Sequence, residues 1–149
     1  MSSLNSLAVA VEVASRKRDD ARQALQDMLA AQQAARAQLD QLEDYARETQ
    51  ARWGMKADTT MKPEVMYHHY QFMDRLGHAA GLQTSVVGDQ EARVENARRG
   101  LMEAEQRLAS LRKVVEQRRR ELEQAQARID QKQTDERAAM QYSRRVQDR

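Results

Sequence analysis

The chain has 149 residues, of which 32% are charged and only 4% aromatic, with one proline, five glycines and no cysteine. That composition excludes disulfides and thiolate chemistry, and it is too poor in large apolar side chains for a layered globular core. Alanine dominates the hydrophobic 40%, and together with Glu, Gln, Leu, Lys and Arg it predicts long helices that bury only a narrow seam.

The formal charge of +2 is unevenly spread, with 11 Lys/Arg against 7 Asp/Glu from Arg112 to Arg149 and 14 against 16 before that point. Opposite charges alternate along the basic part, which argues against a nucleic-acid footprint. No apolar run approaches the roughly 20 residues that span a bilayer. The N-terminal MSSLNSLAVAVEVASRK lacks a basic region ahead of its short apolar patch, which Glu12 interrupts. A reducing, cytoplasmic setting is the expectation.

In chain order, the first predicted element is a helix over about residues 4–53. A strict 3-4 spacing runs through Leu4, Leu7, Val11, Ala14, Arg18, Ala21, Leu25, Met28, Gln32, Ala35, Leu39, Leu42, Ala46, Thr49 and Trp53. Only Arg18, Gln32 and Thr49 among these are polar, which is the pattern of a left-handed coiled coil. Gly54 follows, where a left-handed C-terminal cap would sit. A turn is expected over about residues 54–63, with Thr59 and Thr60 as N-cap candidates and Pro63 and Glu64 in the first turn of the next helix.

The second predicted helix covers about residues 64–146. Its seam runs from Met66 and His69 through Met73, Leu76, Ala80, Gln83, Val87, Gln90, Val94, Ala97, Leu101, Ala104, Leu108, Leu111 and Val115. It continues in register through Arg118, Leu122, Ala125, Ile129, Lys132, Glu136, Ala139, Ser143 and Val146. Asp89/Arg93, Glu95/Arg99, Glu103/Arg107 and Glu116/Arg120 are spaced to pair on its outer side. Gly77, Gly81, Gly88 and Gly100 each cost about 1 kcal/mol against alanine, so the stretch from 77 to 88 should be the softest.

The fold class predicted is all-α, two long helices forming an antiparallel coiled-coil hairpin in one domain, residues 1–149, with the second helix longer. At about 1.5 Å per residue the helices should measure roughly 75 Å and 120 Å. Leu4 then lies opposite about residue 113, and everything after Val115 lacks an intramolecular partner. In that overhang the seam turns polar at Arg118, Lys132, Glu136 and Ser143.

Half of the aromatic residues, two tyrosines and the only phenylalanine, sit near the start of the second helix, in MYHHYQFMDRL (66–76). Beside the main seam runs a second stripe, Val65, Phe72, Ala79 and Val86 at sevenfold spacing, with Leu82 adjoining. Tyr45 and Leu42 of the first helix should lie across from Phe72 and Leu76. This stripe either widens the core or leaves an apolar patch open to a partner.

Catalytic and metal chemistry find no support. Adjacent His68 and His69 point about 100° apart on a helix and cannot grip one metal as an i,i+4 pair would, and His78 lies too far along. All three histidines read as polar flank. No glycine-rich loop precedes a helix to cradle phosphate. Asp130, Asp135 and Glu136 sit on a helix without a pocket that would exclude water. No enzyme activity, metal, cofactor or small-molecule substrate is expected.

Four segments carry a family resemblance: QLDQLEDY (38–45), YHHYQFMDRLGHAA (67–80), RLASLRKVVEQR (107–118) and ARIDQKQTDERAAMQYSRR (127–145). Together they resemble the flagellar type III export protein family FliJ over nearly the whole chain. IDQKQTDE, Ile129 to Glu136, is the most telling piece. The resemblance implies a coiled coil similar to the rotor stalk of rotary ATPases, whose paired terminal end enters the pore of the hexameric export ATPase. It implies contact with the cytoplasmic domain of the export-gate membrane protein, coupling of ATP hydrolysis to export, and escort of export chaperones for minor filament proteins. The location it implies is peripheral, at the cytoplasmic face of the inner membrane at the flagellar base.

By this resemblance the gate-binding face falls on Gln38, Leu42, Tyr45, Phe72, Leu76 and Ala79, with Thr49 and Gln83 standing where that face has an aromatic and a histidine. The ATPase-binding residues fall on Asp130, Gln131, Lys132, Asp135 and Glu136. Three rival readings stand beside it: the stalk of a virulence (needle-type) secretion system, a basic coiled-coil nucleic-acid binder, and a homodimeric scaffold.

Overall fold

A computed structural model describes residues 2–56 and 62–149. It contains two helices, α1 (Ser2–Lys56) and α2 (Pro63–Gln147), of 55 and 85 residues. No strand occurs among the described residues. The all-α hairpin with a longer second helix is the observed fold.

Two features at the turn differ from expectation or fall outside view. Gly54 does not cap α1: the helix continues to Lys56, and no described glycine has a positive φ. The Trp53 side chain stacks on α2 just before Gly54, and that packing holds the last turn helical where local propensity would have ended it. Thr59 and Thr60 lie outside the described residues. At the start of α2 the carbonyl of Lys62 accepts hydrogen bonds from the Val65 and Met66 amides, at 3.1 and 3.3 Å. Pro63, which has no amide hydrogen to satisfy, takes the first helical position.

Residues 18–103 form one compact unit. Here four ties join the helices: Trp53 to His69, Tyr45 to Phe72, Gln83 to Ala35 and Gln38, and Arg36 to Glu91. Their order runs down α1 as it runs up α2, so the pairing is antiparallel. Every seam position of α1 in this unit, Arg18 to Trp53, is buried or half-buried, and so is every α2 position from His69 to Leu101. The core is thin, because alanines and valines (Ala35, Val87, Val94) are its most buried apolar members. His69 is buried with them, which overturns its assignment to the polar flank. Its seam position outweighed its polarity because the flat indole of Trp53 covers its ring.

Residues 1–17 and 104–149 form the other unit. Ala14 and Leu108 are its best-buried side chains, at 3% and 2% exposure. Leu4, Leu7 and Val11 of α1 and Ala104, Leu111 and Val115 of α2 are half-buried around them. Val115 is the last residue with any cover; from Glu116 to Arg149 every residue is exposed.

Of the four ion pairs expected on the outer face of α2, Glu95–Arg99 and Glu116–Arg120 close, at 3.9 and 2.6 Å. Asp89–Arg93 and Glu103–Arg107 do not, in keeping with the small gain that an exposed pair offers against side-chain entropy.

Candidate partner-binding surfaces

The two edges of the hairpin within residues 18–103 differ in chemistry. In a 3-4 seam the residues just before and just after each core pair flank opposite sides. On one side Arg36 reaches Glu91 at 2.6 Å, with both side chains about half exposed. On the other side stand Tyr45 and Phe72, edge to face with ring centroids 5.9 Å apart and planes at 82°. One edge is charged, the other apolar and aromatic.

The apolar edge is only partly covered. Tyr45 is 48% exposed and Phe72 39%, so the aromatic contact leaves each ring with a large free face. Val65, Val86 and Leu82 are exposed along the same side of α2. Beneath them Leu42, Leu76 and Ala79 are half-buried and form the floor. Helix register explains this split: Leu42 and Leu76 are seam residues, whereas Tyr45, Phe72 and Ala79 flank the seam.

Gln38 and Gln83 close the upper end of this edge. The Gln83 side-chain amide donates to the Ala35 carbonyl at 2.9 Å and to Gln38 Oε1 at 3.2 Å. A shallow groove follows, lined by Gln38, Gln41, Leu42, Tyr45 and Gln83. The six residues expected on the gate-facing surface lie along this edge or on the seam beneath it, Gln83, also expected there, lines the groove with them, and Gln41 is added by the geometry. Gln41 carried no signal in the sequence, since a polar side chain off the seam resembles any solvated position. A second open groove, lined by Gln71, Asp74, Arg75, His78, Ala79 and Leu82, flanks Ala79 on α2.

The other candidate stretch, Asp130, Gln131, Lys132, Asp135 and Glu136, is exposed throughout. Its polar groups are tied along the helix. The Gln126 amide donates to Asp130 Oδ1 at 3.1 Å, Gln131 donates to Asp135 Oδ1 at 3.0 Å, and the Thr134 hydroxyl donates to the Asp130 carbonyl at 2.9 Å. Lys132 and Glu136, four residues apart, form no ion pair. This is a helical, water-facing ladder of polar and charged groups.

Among the described residues no group of three or more His, Cys, Asp or Glu side chains is placed to hold a metal ion. No helix among them is long and apolar enough to cross a membrane.

Searches of curated proteins and of solved structures return no match. A family model described as Flagellar FliJ protein matches residues 2–147, nearly the whole of both helices and their connection. The chain belongs to the flagellar FliJ family.

Proposed function

We propose that this flagellar, type III export-related protein is a stalk and adaptor working as one coiled-coil domain. It joins the hexameric export ATPase to the cytoplasmic domain of the export-gate membrane protein. The family is one of non-enzymatic, stalk- or chaperone-like proteins. In this reading the apolar edge of Gln38, Leu42, Tyr45, Phe72, Leu76 and Ala79 binds the gate. The charged stretch from Asp130 to Glu136 meets the ATPase ring, and the protein couples ATP hydrolysis to export and escorts chaperones of minor filament proteins. It acts at the cytoplasmic face of the inner membrane, at the flagellar base.

One observation carries the reading. α2 runs on as regular helix for more than thirty residues after Val115 with no residue covered. A helix of that length with a mixed polar and apolar seam gains little stability by itself, and its exposed ladder suits capture by an outside partner. A ring can grip such a stalk end through many weak polar contacts without a deep lock.

The test is assembly and turnover of the export ATPase with the full chain and with a chain lacking Ile129 to Arg149. Stimulation by the full chain and none by the truncated one is the expected result. Equal hexamer formation and equal turnover with both would remove the ATPase assignment.

A further inference from the structure

We infer that the uncovered stretch of α2 pairs with the same stretch of a second copy of this chain, antiparallel, about a two-fold axis level with Thr134. The seam does not stop at Val115. Leu122, Ala125, Ile129, Ala139 and Val146 keep the 3-4 spacing, and Leu122, Ile129 and Val146 are each about half exposed, at 50%, 51% and 56%. A second copy of the same helix offers the matching seam.

The polar seam residues choose the orientation. A parallel, in-register pair would set Arg118, Lys132 and Glu136 each against its own copy, three like-charge layers of which the last two are adjacent. An antiparallel pair centred at Thr134 sets Lys132 against Glu136 of the second copy, twice, by symmetry. The layers on either side then become Ile129 with Ala139, Ala125 with Ser143, and Leu122 with Val146. A slip of one heptad in one sense faces Lys132 with Ile129 and Glu136 with Ala125. A slip in the other sense faces Lys132 with Ser143 and Glu136 with Ala139. Either slip leaves both charges without a partner, and a slip of two heptads pairs Glu136 with Arg118 but leaves Lys132 against Leu122, so the register centred at Thr134 is the one that pairs both Lys132 and Glu136.

Three further observations agree. Lys132 and Glu136 form no ion pair within their own helix, and a lysine ahead of a glutamate is the weaker order for one. Both charges are therefore free for a partner. In the flanks the same register brings Glu121 to Arg149 and Arg128 to the ring of Tyr142, which is 71% exposed. The one like-charge contact, Asp135 with its copy, lies beside the two Lys132 side chains. Finally, the outermost layer, Leu122 with Val146, begins one seam position beyond Arg118, which itself follows the last half-buried residue, Val115. The second copy takes up the seam where cover from the chain's own residues ends.

This stretch includes the residues assigned above to the ATPase ring, so on that reading dimer and ring compete for it. Self-association is measured on the chain alone, and its failure leaves the ring assignment standing. Sedimentation of the full chain should show a monomer–dimer equilibrium below about 100 μM. Lys132→Glu and Glu136→Lys should each weaken it by about tenfold or more. The double exchange, which restores opposite charges, should return it to within about threefold of the parent. A chain that stays monomeric at that concentration, or a double exchange as weak as the single ones, overturns the proposal. The chain has no cysteine, so single cysteines report the register. Q133C, beside the two-fold axis, should oxidise to a linked dimer faster than E136C. The reverse order means parallel pairing and also overturns it.

Discussion

Trp53 lies over His69 with ring centroids 3.8 Å apart and planes within 3° of parallel. Near the turn this layer sets two flat rings face to face across the seam. Trp53→Ala should therefore cost about 2–3 kcal/mol, less than a fully buried tryptophan because the indole is half-exposed. Thermal unfolding followed by circular dichroism measures the loss. Gln90 makes the opposite case: its Oε1 is buried without a hydrogen-bond partner at a seam position. Gln90→Leu keeps the volume and removes an unsatisfied acceptor, so it should stabilise the fold by about 1 kcal/mol. Phe72 separates binding from stability. It is 39% exposed, and Phe72→Ala should leave helicity intact while gate binding falls about tenfold or more, as for an aromatic anchor at an interface. Adding Leu76→Ala deepens the loss. Unchanged capture of the gate's cytoplasmic domain by both variants would end that assignment.

At the scale of the element, both helices and their antiparallel pairing were legible because the 3-4 spacing holds without a slip. Burial follows that spacing closely. From His69 to Val115 every seam position of α2 is buried or half-buried, and only Ala79 joins them from outside the seam. What the pattern could not give was the fate of residues where type and position disagree. His69 is polar by type and core by position, and the partner that settled it, Trp53, lies on the other helix. Gly54 signalled a stop that packing next to it overrode. The second apolar stripe was visible, but its openness depends on how far Tyr45 reaches over Phe72, which no spacing encodes. The stretch of α2 from 77 to 88, expected from its glycines to be the softest, is continuous helix. A Cβ added at Gly77, Gly81, Gly88 or Gly100 would meet nothing within 4 Å, so no close approach requires these glycines. Between them Thr84 and Ser85 hydrogen-bond back to the Ala80 and Gly81 carbonyls, at 2.8 and 3.4 Å, which further loosens a helix. Gly81→Ala with Gly88→Ala should stabilise by about 1–2 kcal/mol in sum. Slower amide exchange over residues 77–92, with no change in the surrounding seam, is the expected reading.

At the scale of the whole molecule, the two proposed binding faces share no residue and belong to different compact units, residues 18–103 for the apolar edge and residues 1–17 with 104–149 for the charged stretch. Each unit has its own buried side chains: His69, Val87 and Val94 in one, Ala14 and Leu108 in the other. Removing Ile129 to Arg149 takes away only exposed side chains, so no buried contact is lost and the remaining seam keeps all its cover. The two functions should therefore be separable in both directions. The truncated chain should bind the gate's cytoplasmic domain with unchanged affinity while losing its effect on the ATPase. Phe72→Ala with Leu76→Ala should do the reverse, retaining ATPase stimulation without gate binding. Changes at sites this far apart along the chain, with no shared partners, add independently to within about 0.5 kcal/mol. Isothermal titration against each partner, run on both variants and on their combination, reads the four cases. A truncation that weakened gate binding by more than about threefold would show the faces to be energetically coupled, and a simple adaptor with two independent ends would then be the wrong description.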